Sequence, residues 1–409
     1  VPDLPRLDQI LARRPPGVLV LVLERPRPTL PSATSRAELL GVGASGLPGG
    51  GGTLETPTTR RPGLLTAIDV APTVLRFVGA GVPAAVHGQA ITRAGRRDPA
   101  GLERLRARLG VIDGRRWPAI DAFLLAWLGL LVLGAAVRRG RGVRGMLRIG
   151  GLAALWTPST TLLAGALAPT RPVELGVVVG GALLLAAACD RAIPWPRAPL
   201  APAGVMVVAY VVDLGLGSPL ISASILGPNP IAGSRFYGIG NELEASLPIV
   251  LFAGLAAVLT RRRPGAREVR AFAVVGLAFT AVAAWGRMGA DVGAVFTIGG
   301  GTTAGALALR GRMTHRTAIL ACAVPLAGLV ALAGLDLVTR AGGHFTGTVL
   351  DAGSLGDVGG TIGRKLADAF RQLRRGVMPI DTAVCLAAAA YVLRRPARVL
   401  APVGGAPAW

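Results

Sequence analysis

The feature that most restricts what this chain can fold into is its series of apolar runs, separated by connections that are alternately rich and poor in arginine. A helix that crosses a bilayer needs about 17–25 apolar residues. Nine segments approach that length: 119–137, 149–167, 172–189, 200–216, 245–259, 271–285, 292–309, 318–337 and 380–393. Arginines cluster at Arg138, Arg139, Arg141, Arg144 and Arg148, at Arg191 and Arg197, at Arg261–Arg263, Arg267 and Arg270, at Arg310, Arg312 and Arg316, and at Arg394, Arg395 and Arg398. These clusters fill every second connection, the pattern of cytoplasmic loops. The alternate connections, around Arg171, 217–241 and 287–290, carry few basic residues and are outer loops by the same rule. The expected fold is mainly α, a polytopic helical membrane bundle of about nine spans over residues 117–398 with a cytoplasmic C-terminus.

Composition agrees with that class. Half of the residues are hydrophobic, 52%, against 16% charged, and the mean hydropathy is +0.55. A net charge of +22 would suggest nucleic acid in a soluble chain. Here most arginines flank apolar segments, so the charge reads as membrane orientation and nucleic acid is not expected as a partner. Lys365 is the only lysine among 44 basic residues, a skew that fits the GC-rich arginine codons of a high-GC bacterium and points to its plasma membrane. Cys189, Cys322 and Cys385 lie in or beside apolar segments, where a thiol acts as a small hydrophobe. The chain begins at Val1 with no signal-like segment, so further sequence is expected upstream.

Within the apolar part, one stretch is densely polar, aromatic and glycine-rich: residues 229–244, NPIAGSRFYGIGNELE. A bilayer offers such groups no water, so they need a protein-lined or aqueous surface. With the orientation above, Asp213, Arg235, Tyr237, Asn241, Glu242, Glu244, Arg287, Asp291, Asp336 and His344 all fall near the outer leaflet. Arg235 and Arg287 could hold a phosphate or pyrophosphate by charge-assisted hydrogen bonds. Glu242 or Asp291 could orient a hydroxyl, bind a cation or act as a base. Plainer roles are open for each. Asn241 and Glu244 have capping-box spacing, Arg235, Phe236 and Tyr237 suit interfacial anchoring, and Arg287 with Asp291 suits an i,i+4 ion pair. His344 and His315 read as solvated loop residues. No metal-ligand spacing stands out, and no cofactor is indicated.

Two other features bear on architecture. Glycines inside the spans, such as Gly299, Gly300 and Gly301, suit close helix packing more than a functional break. The outer connection 340–378 holds Arg364, Lys365, Arg371, Arg374 and Arg375. Its stretch 362–373 places Ile362, Leu366, Ala369, Phe370 and Leu373 at helical spacing, as for an amphipathic helix on the outer interface.

Residues 1–95 have a different texture. They contain a short amphipathic helix at 4–12, an apolar strand-like run at 17–23, a Gly/Pro-rich loop, and a helix opening at Asp69 with Asp69 as its N-cap and Pro72 in its first turn. This region reads as a small water-soluble α/β domain. Residues 96–116 follow as a juxtamembrane amphipathic helix that starts at Asp98-Pro99 and reaches about Leu109.

The run from Thr58 to Leu75, TTRRPGLLTAIDVAPTVL, followed by Val82-Pro83 and His87-Gly-Gln-Ala-Ile91, resembles the closing segment of alkaline-phosphatase and sulfatase superfamily domains. Those domains end in a D-x-A-P-T helix, a V/L-P step and a G-x-x-I/L strand. The resemblance covers about forty residues and implies the tail of a phosphatase-like domain, here extracytoplasmic. Family members bind metal through Asp and His. In this chain the strand before that segment ends Leu23-Glu24-Arg25-Pro26, and the later stretch 47–53 has no histidine. His87 comes after the family's ligand positions. The resemblance therefore implies a degenerate, non-catalytic relative or a partial domain. Asp213–Leu220 (DLGLGSPL), Arg235–Glu242 (RFYGIGNE) and Gly289–Gly293 (GADVG) are similar to an uncharacterised group of bacterial membrane proteins that also carry a phosphatase-like outer domain. The order of parts also resembles the eukaryotic ethanolamine-phosphate transferases of glycolipid anchors, in layout only.

Three functions remain in view. The first is an envelope protein that binds or processes a lipid-linked or phosphate-bearing substrate at the extracytoplasmic face, with membrane lipids or a lipid-linked envelope precursor as partner. The others are a transporter or flippase, and a non-catalytic scaffold.

Overall fold

The computed structural model describes residues 4–24, 39–49, 52–83, 86–168, 170–228, 230, 236–259, 264–310 and 315–339, with isolated positions beyond. Arg235, His344, the segment 340–378 as a continuous element and the ninth apolar run lie outside the described residues, as does the side chain of Asp336.

The amino-terminal part consists of short elements. Helix α1 spans Leu4–Ala12. Strand β1, Val20–Leu23, pairs antiparallel with β2, Val42–Ser45, so the strand is shorter than the apolar run that suggested it. Strand β3, Thr53–Glu55, pairs antiparallel with β4, Thr92–Ala94. Between them lie a 3-10 turn at Ala67–Asp69 and helix α2, Val70–Phe77.

Asp69 occupies the N-cap position of α2 as the sequence suggests, but its side chain makes no capping hydrogen bond to that helix. Its carboxylate reaches backward instead: Oδ2 accepts the Thr66 N–H at 3.1 Å, while Oδ1 accepts the Thr58 hydroxyl and the Gln89 N–H at 2.9 Å. Thr66 and Asp69 form a reciprocal capping box one turn earlier. The Thr73 hydroxyl donates to the Asp69 carbonyl and accepts the Ile91 N–H at 2.8 Å. The D-x-A-P-T motif thus fastens α2 to the strand that follows it.

Asp98 caps the next helix as its sequence suggests, accepting the Gly101 N–H at 2.8 Å. The helix does not stop near Leu109, however; α3 is helical from Pro99 to Leu167. A straight helix of 69 residues would be roughly 100 Å long, and this one folds back. A Cβ at Gly150 would lie 1.7 Å from Trp127 Nε1, although on a straight helix the two residues would stand about 35 Å apart. Phe123 likewise packs against the buried cluster that contains Leu152, Ala153 and Trp156. The two arms are therefore antiparallel, and midway between Trp127 and Gly150 in the chain lie Arg138 and Arg139.

Helix α4 (Arg171–Ala192), α5 (Leu200–Gly215), α6 (Asn241–Val258), α7 (Ala266–Ala284), α8 (Val295–Leu309) and α9 (His315–Thr339) follow. The described molecule is mainly helical. Two of its helices, Arg171–Ala192 and Asn241–Val258, are long and apolar enough to cross a membrane; Leu200–Gly215, Val295–Leu309 and Cys322–Leu335 are shorter apolar helices.

The main core joins α5, α6, α7 and α8 through Met206, Tyr210, Leu243, Leu247, Phe279 and Ile298, all under 4% exposed. The Tyr210 hydroxyl donates to the Pro158 carbonyl at 3.0 Å and so ties this core to α3. Glycine provides close approach, as its abundance suggested. Cβ atoms at Gly299, Gly300 and Gly301 would meet Thr280 of α7, Pro325 of α9 and Phe252 of α6 at 3.1, 3.5 and 2.8 Å. Three consecutive glycines thus seat α8 against three neighbouring helices.

Candidate functional site

Connections that are distant in sequence meet at one end of the bundle. After α5 the chain turns through Gly217 and Ser218, the latter in the left-handed region at φ 65°, into a 3-10 turn at Ile221–Ala223. Asp213 builds that turn. It is 2% exposed, its Oδ1 accepts the Leu220 N–H and its Oδ2 the Ile221 N–H, both at 2.9 Å, and its carbonyl accepts the Ser218 N–H at 2.8 Å. Both oxygens of this carboxylate thus accept backbone N–H groups of the turn.

The polar stretch resumes at Phe236 and lies across the turn. Gly238 donates its N–H to the Ser218 hydroxyl at 3.2 Å, and Ile239 donates to the Gly289 carbonyl at 2.8 Å. Gly238 has φ +76°, and a Cβ there would stand 2.1 Å from the Gly289 oxygen, so this position requires glycine twice over. The tip between α7 and α8 is held in turn: Gly289 donates to the Val282 carbonyl and Asp291 to that of Ala283, at 3.1 and 3.0 Å. The stretches carrying Asp213, Tyr237 and Asp291 are therefore brought together.

Individual side chains differ in what they can offer. Asp291 is buried at 2% exposure, whereas Arg287 is exposed. Asn241 is exposed and Glu242 half-buried. The capping box expected of Asn241 and Glu244 is not formed. Gly240 is the N-cap of α6, without a side-chain cap, because the helix begins one residue earlier than the spacing implies. Glu244 turns inward instead. Its Oε1 lies 2.2 Å from where a Gly293 Cβ would be, so its carboxylate sits against bare backbone two residues from Asp291.

Phe236 and Tyr237 join the bundle to the amino-terminal part. Tyr237 is 8% exposed, and the Arg60 guanidinium carbon stands 4.2 Å from its ring centroid, a cation–π arrangement. Phe236 packs on Leu64, Leu109 and Ile112. These aromatics contact protein where the sequence suggested interfacial anchors.

A buried ion triad adjoins this junction. Glu174, 2% exposed, accepts Arg108 Nη2 on Oε1 at 3.0 Å and Arg115 Nη1 on Oε2 at 2.8 Å. Arg108 Nη2 also donates to the Ala223 carbonyl at 2.9 Å. One arginine thus links α3, α4 and the 3-10 turn. Sequence reasoning passed over these residues, yet two signals were present. Arg108 and Arg115 are seven apart, on one helical face, and Glu174 is an acid at the start of an apolar run, a default candidate for a functional or paired group.

At the opposite end, Arg148 contacts Asp190 at 2.7 Å and lies 4.9 Å from the Trp195 ring centroid, and the Trp195 indole N–H donates to the same Asp190 oxygen at 2.7 Å. His87 is exposed. No three His, Cys, Asp or Glu residues group as metal ligands among the described residues.

No family model, curated protein or solved structure matches this chain.

Proposed function

We propose that this chain is an integral membrane protein of the bacterial cell envelope that binds, and processes, a lipid-linked or phosphate-bearing substrate at the extracytoplasmic face. The observation that carries this reading is the gathering of the three arginine-poor connections, with the amino-terminal part, at one end of the helical bundle. That end holds buried carboxylates and arginines of opposite sign, the equipment of a polar ligand site at a membrane surface. The Arg148–Asp190–Trp195 cluster, in the arginine-rich connections, lies at the other end. Two described helices, Arg171–Ala192 and Asn241–Val258, are long and apolar enough to cross a membrane, and this reading takes the shorter apolar helices beside them as further spans. The positive-inside rule makes the gathered end extracytoplasmic.

Two measurements test this. With the native cysteines removed, Thr170→Cys should react with a membrane-impermeant maleimide on intact cells and Arg139→Cys should not; the reverse pattern would refute the orientation. Native mass spectrometry of the full chain in nanodiscs should find a phosphate-bearing lipid that survives exchange into neutral detergent. Loss of all lipid on that exchange would refute the substrate class.

A scaffold role is the second reading, and Asp69 and Thr73 favour it. In the segment that resembles a phosphatase closing helix, both side chains are engaged in internal hydrogen bonds, which suits a degenerate outer domain that positions other envelope components.

A further inference from the structure

We propose that the cleft between helix α1 and the start of strand β1 binds a phosphate monoester that carries a short apolar group. The cleft has a volume of about 400 Å³ and opens to solvent, and its walls hold Arg6, Arg13 and Arg14 beside Ile10, Val18 and Val20. That volume lies within the roughly 300–1,000 Å³ of small-molecule sites. The cleft belongs to the amino-terminal part alone and takes its ligand whether or not the substrate of the bundle carries phosphate.

Three observations define the ligand. Arg6, Gln9, Ile10 and Arg13 recur at helical spacing, and the Arg13 N–H still donates to the Gln9 carbonyl at 3.1 Å, so the four form one stripe of α1 along the cleft. Arg6 and Arg13 stand about 10 Å apart along the axis, a gap that two arginine side chains can close from either end. Asp8, the only acid in the helix, is two residues from Arg6 and falls off that stripe. Among the described residues no acid lines the cleft, and neither Arg6 nor Arg13 has an ion-pair partner.

Arg14 is held in place. Its Nη1 donates to the Val18 carbonyl at 2.6 Å and to the Pro15 carbonyl at 3.4 Å, and a Cβ at Gly46 would stand 2.9 Å from that nitrogen. Its Nε and Nη2, the edge that takes two oxyanion oxygens side by side, make no hydrogen bond to a described residue. Ile10 and Val18 are 50% and 41% exposed, so the same cleft offers uncovered apolar surface. A phosphate monoester brings a charge of about −1.5 to −2 and three acceptor oxygens, which suits three guanidiniums with no acid among them better than the single charge of a carboxylate. Its ester chain covers Ile10 and Val18.

The test uses the full chain in neutral detergent, titrated by calorimetry with hexyl phosphate, inorganic phosphate, hexanoate and dihexanoyl phosphatidic acid. Hexyl phosphate should bind at one site, about tenfold or more tighter than inorganic phosphate, since covering even two methylene groups is worth that much. Hexanoate should bind more weakly than hexyl phosphate. Phosphatidic acid binding tighter than hexyl phosphate identifies a lipid headgroup as the source, and weaker binding identifies a soluble monoester. The double variant Arg6→Gln and Arg13→Gln changes two exposed side chains, so it should keep the melting temperature and weaken hexyl phosphate about tenfold or more. Ile10→Ser should bring hexyl phosphate down to the level of inorganic phosphate and leave inorganic phosphate unchanged. Wild-type affinity in the double variant would overturn the proposal, because the anion would then sit elsewhere, and so would absence of binding to the wild type. Hexanoate binding as tightly as hexyl phosphate would overturn the ligand class. Phosphate-bearing lipid retained by the double variant in nanodiscs would still support the bundle site, so the two readings fail separately.

Discussion

The guanidinium of Arg60 lies over the ring of Tyr237, its central carbon 4.2 Å from the centroid. The two residues belong to parts of the chain with different textures, a small strand-containing region and a helical bundle. Arg60 holds a left-handed backbone conformation, φ 54°, which a residue without a left-handed preference adopts at some cost. The contact and the Phe236 packing beside it offset that cost and make the junction a defined interface.

A double-mutant cycle of Arg60→Ala and Tyr237→Leu, read by thermal unfolding in detergent, should show a coupling of about 0.5–2 kcal/mol. Both single variants should also make the segment between β4 and α3 more sensitive to limited proteolysis. Strictly additive effects would mean that the stacking contributes nothing.

Glu174 is the most consequential single side chain in the junction. Glu174→Gln leaves two nearly buried guanidiniums facing an amide, and loss of one partner of a buried pair costs about 3–5 kcal/mol. The triple replacement Arg108→Met, Glu174→Leu and Arg115→Met should recover most of the lost stability, since apolar groups of similar size are often neutral or better. A Glu174→Gln protein that melts like the parent would show that solvent reaches the triad.

Gly293 and Glu244 are coupled by space. Gly293→Ala puts a methyl group 2.2 Å from Glu244 Oε1, so the carboxylate must move, at about 1–3 kcal/mol. Adding Glu244→Ala should restore the melting temperature in large part. A double variant as unstable as Gly293→Ala would place the clash in the backbone.

In Asp69→Asn, an amide replaces a carboxylate oxygen that now accepts hydrogen bonds, and the amide NH2 faces donors. The expected loss is about 1–3 kcal/mol. Hydrogen exchange should report faster opening at the Gln89 and Thr66 amides, which donate to that carboxylate, with the bundle unaffected. Uniform exchange across both regions would show instead that the amino-terminal part and the bundle unfold as one unit.

Much of the helical class was legible because it rests on local chemistry. Apolar runs select helices, and Asp98-Pro99 announces a helix start that the structure keeps. Errors arose where one short-range signal met a competing neighbour. Asn241 and Glu244 have capping-box spacing, but Gly240 starts the helix first and the bare backbone at Gly293 draws the Glu244 carboxylate inward. Asp69 looked like a cap for the helix after it and turned back to Thr66, Thr58 and Gln89. The polar stretch was singled out as a candidate ligand site near Asp213, Arg287 and Asp291, and its described part, from Phe236 on, does meet the Asp213 and Asp291 segments, whereas Arg108 and Glu174 were missed. Their contacts join positions far apart in the chain, and no local pattern encodes them.

What the sequence determined by itself is therefore the material of the molecule: apolar helices, arginine-flanked connections and one polar stretch with nowhere to be solvated. Hydrophobic periodicity and charge placement act within a few residues, so they can be read without a fold. Only the tertiary structure decided which acids are spent on structure and which donors are left over. Asp213 satisfies two backbone N–H groups and Glu174 satisfies two arginines, while Arg108 Nε and Ser224 Oγ are buried without a hydrogen-bond partner among the described residues. Hydrogen-bond satisfaction in a packed interior depends on where distant backbone groups arrive, and that is settled by the packing of helices.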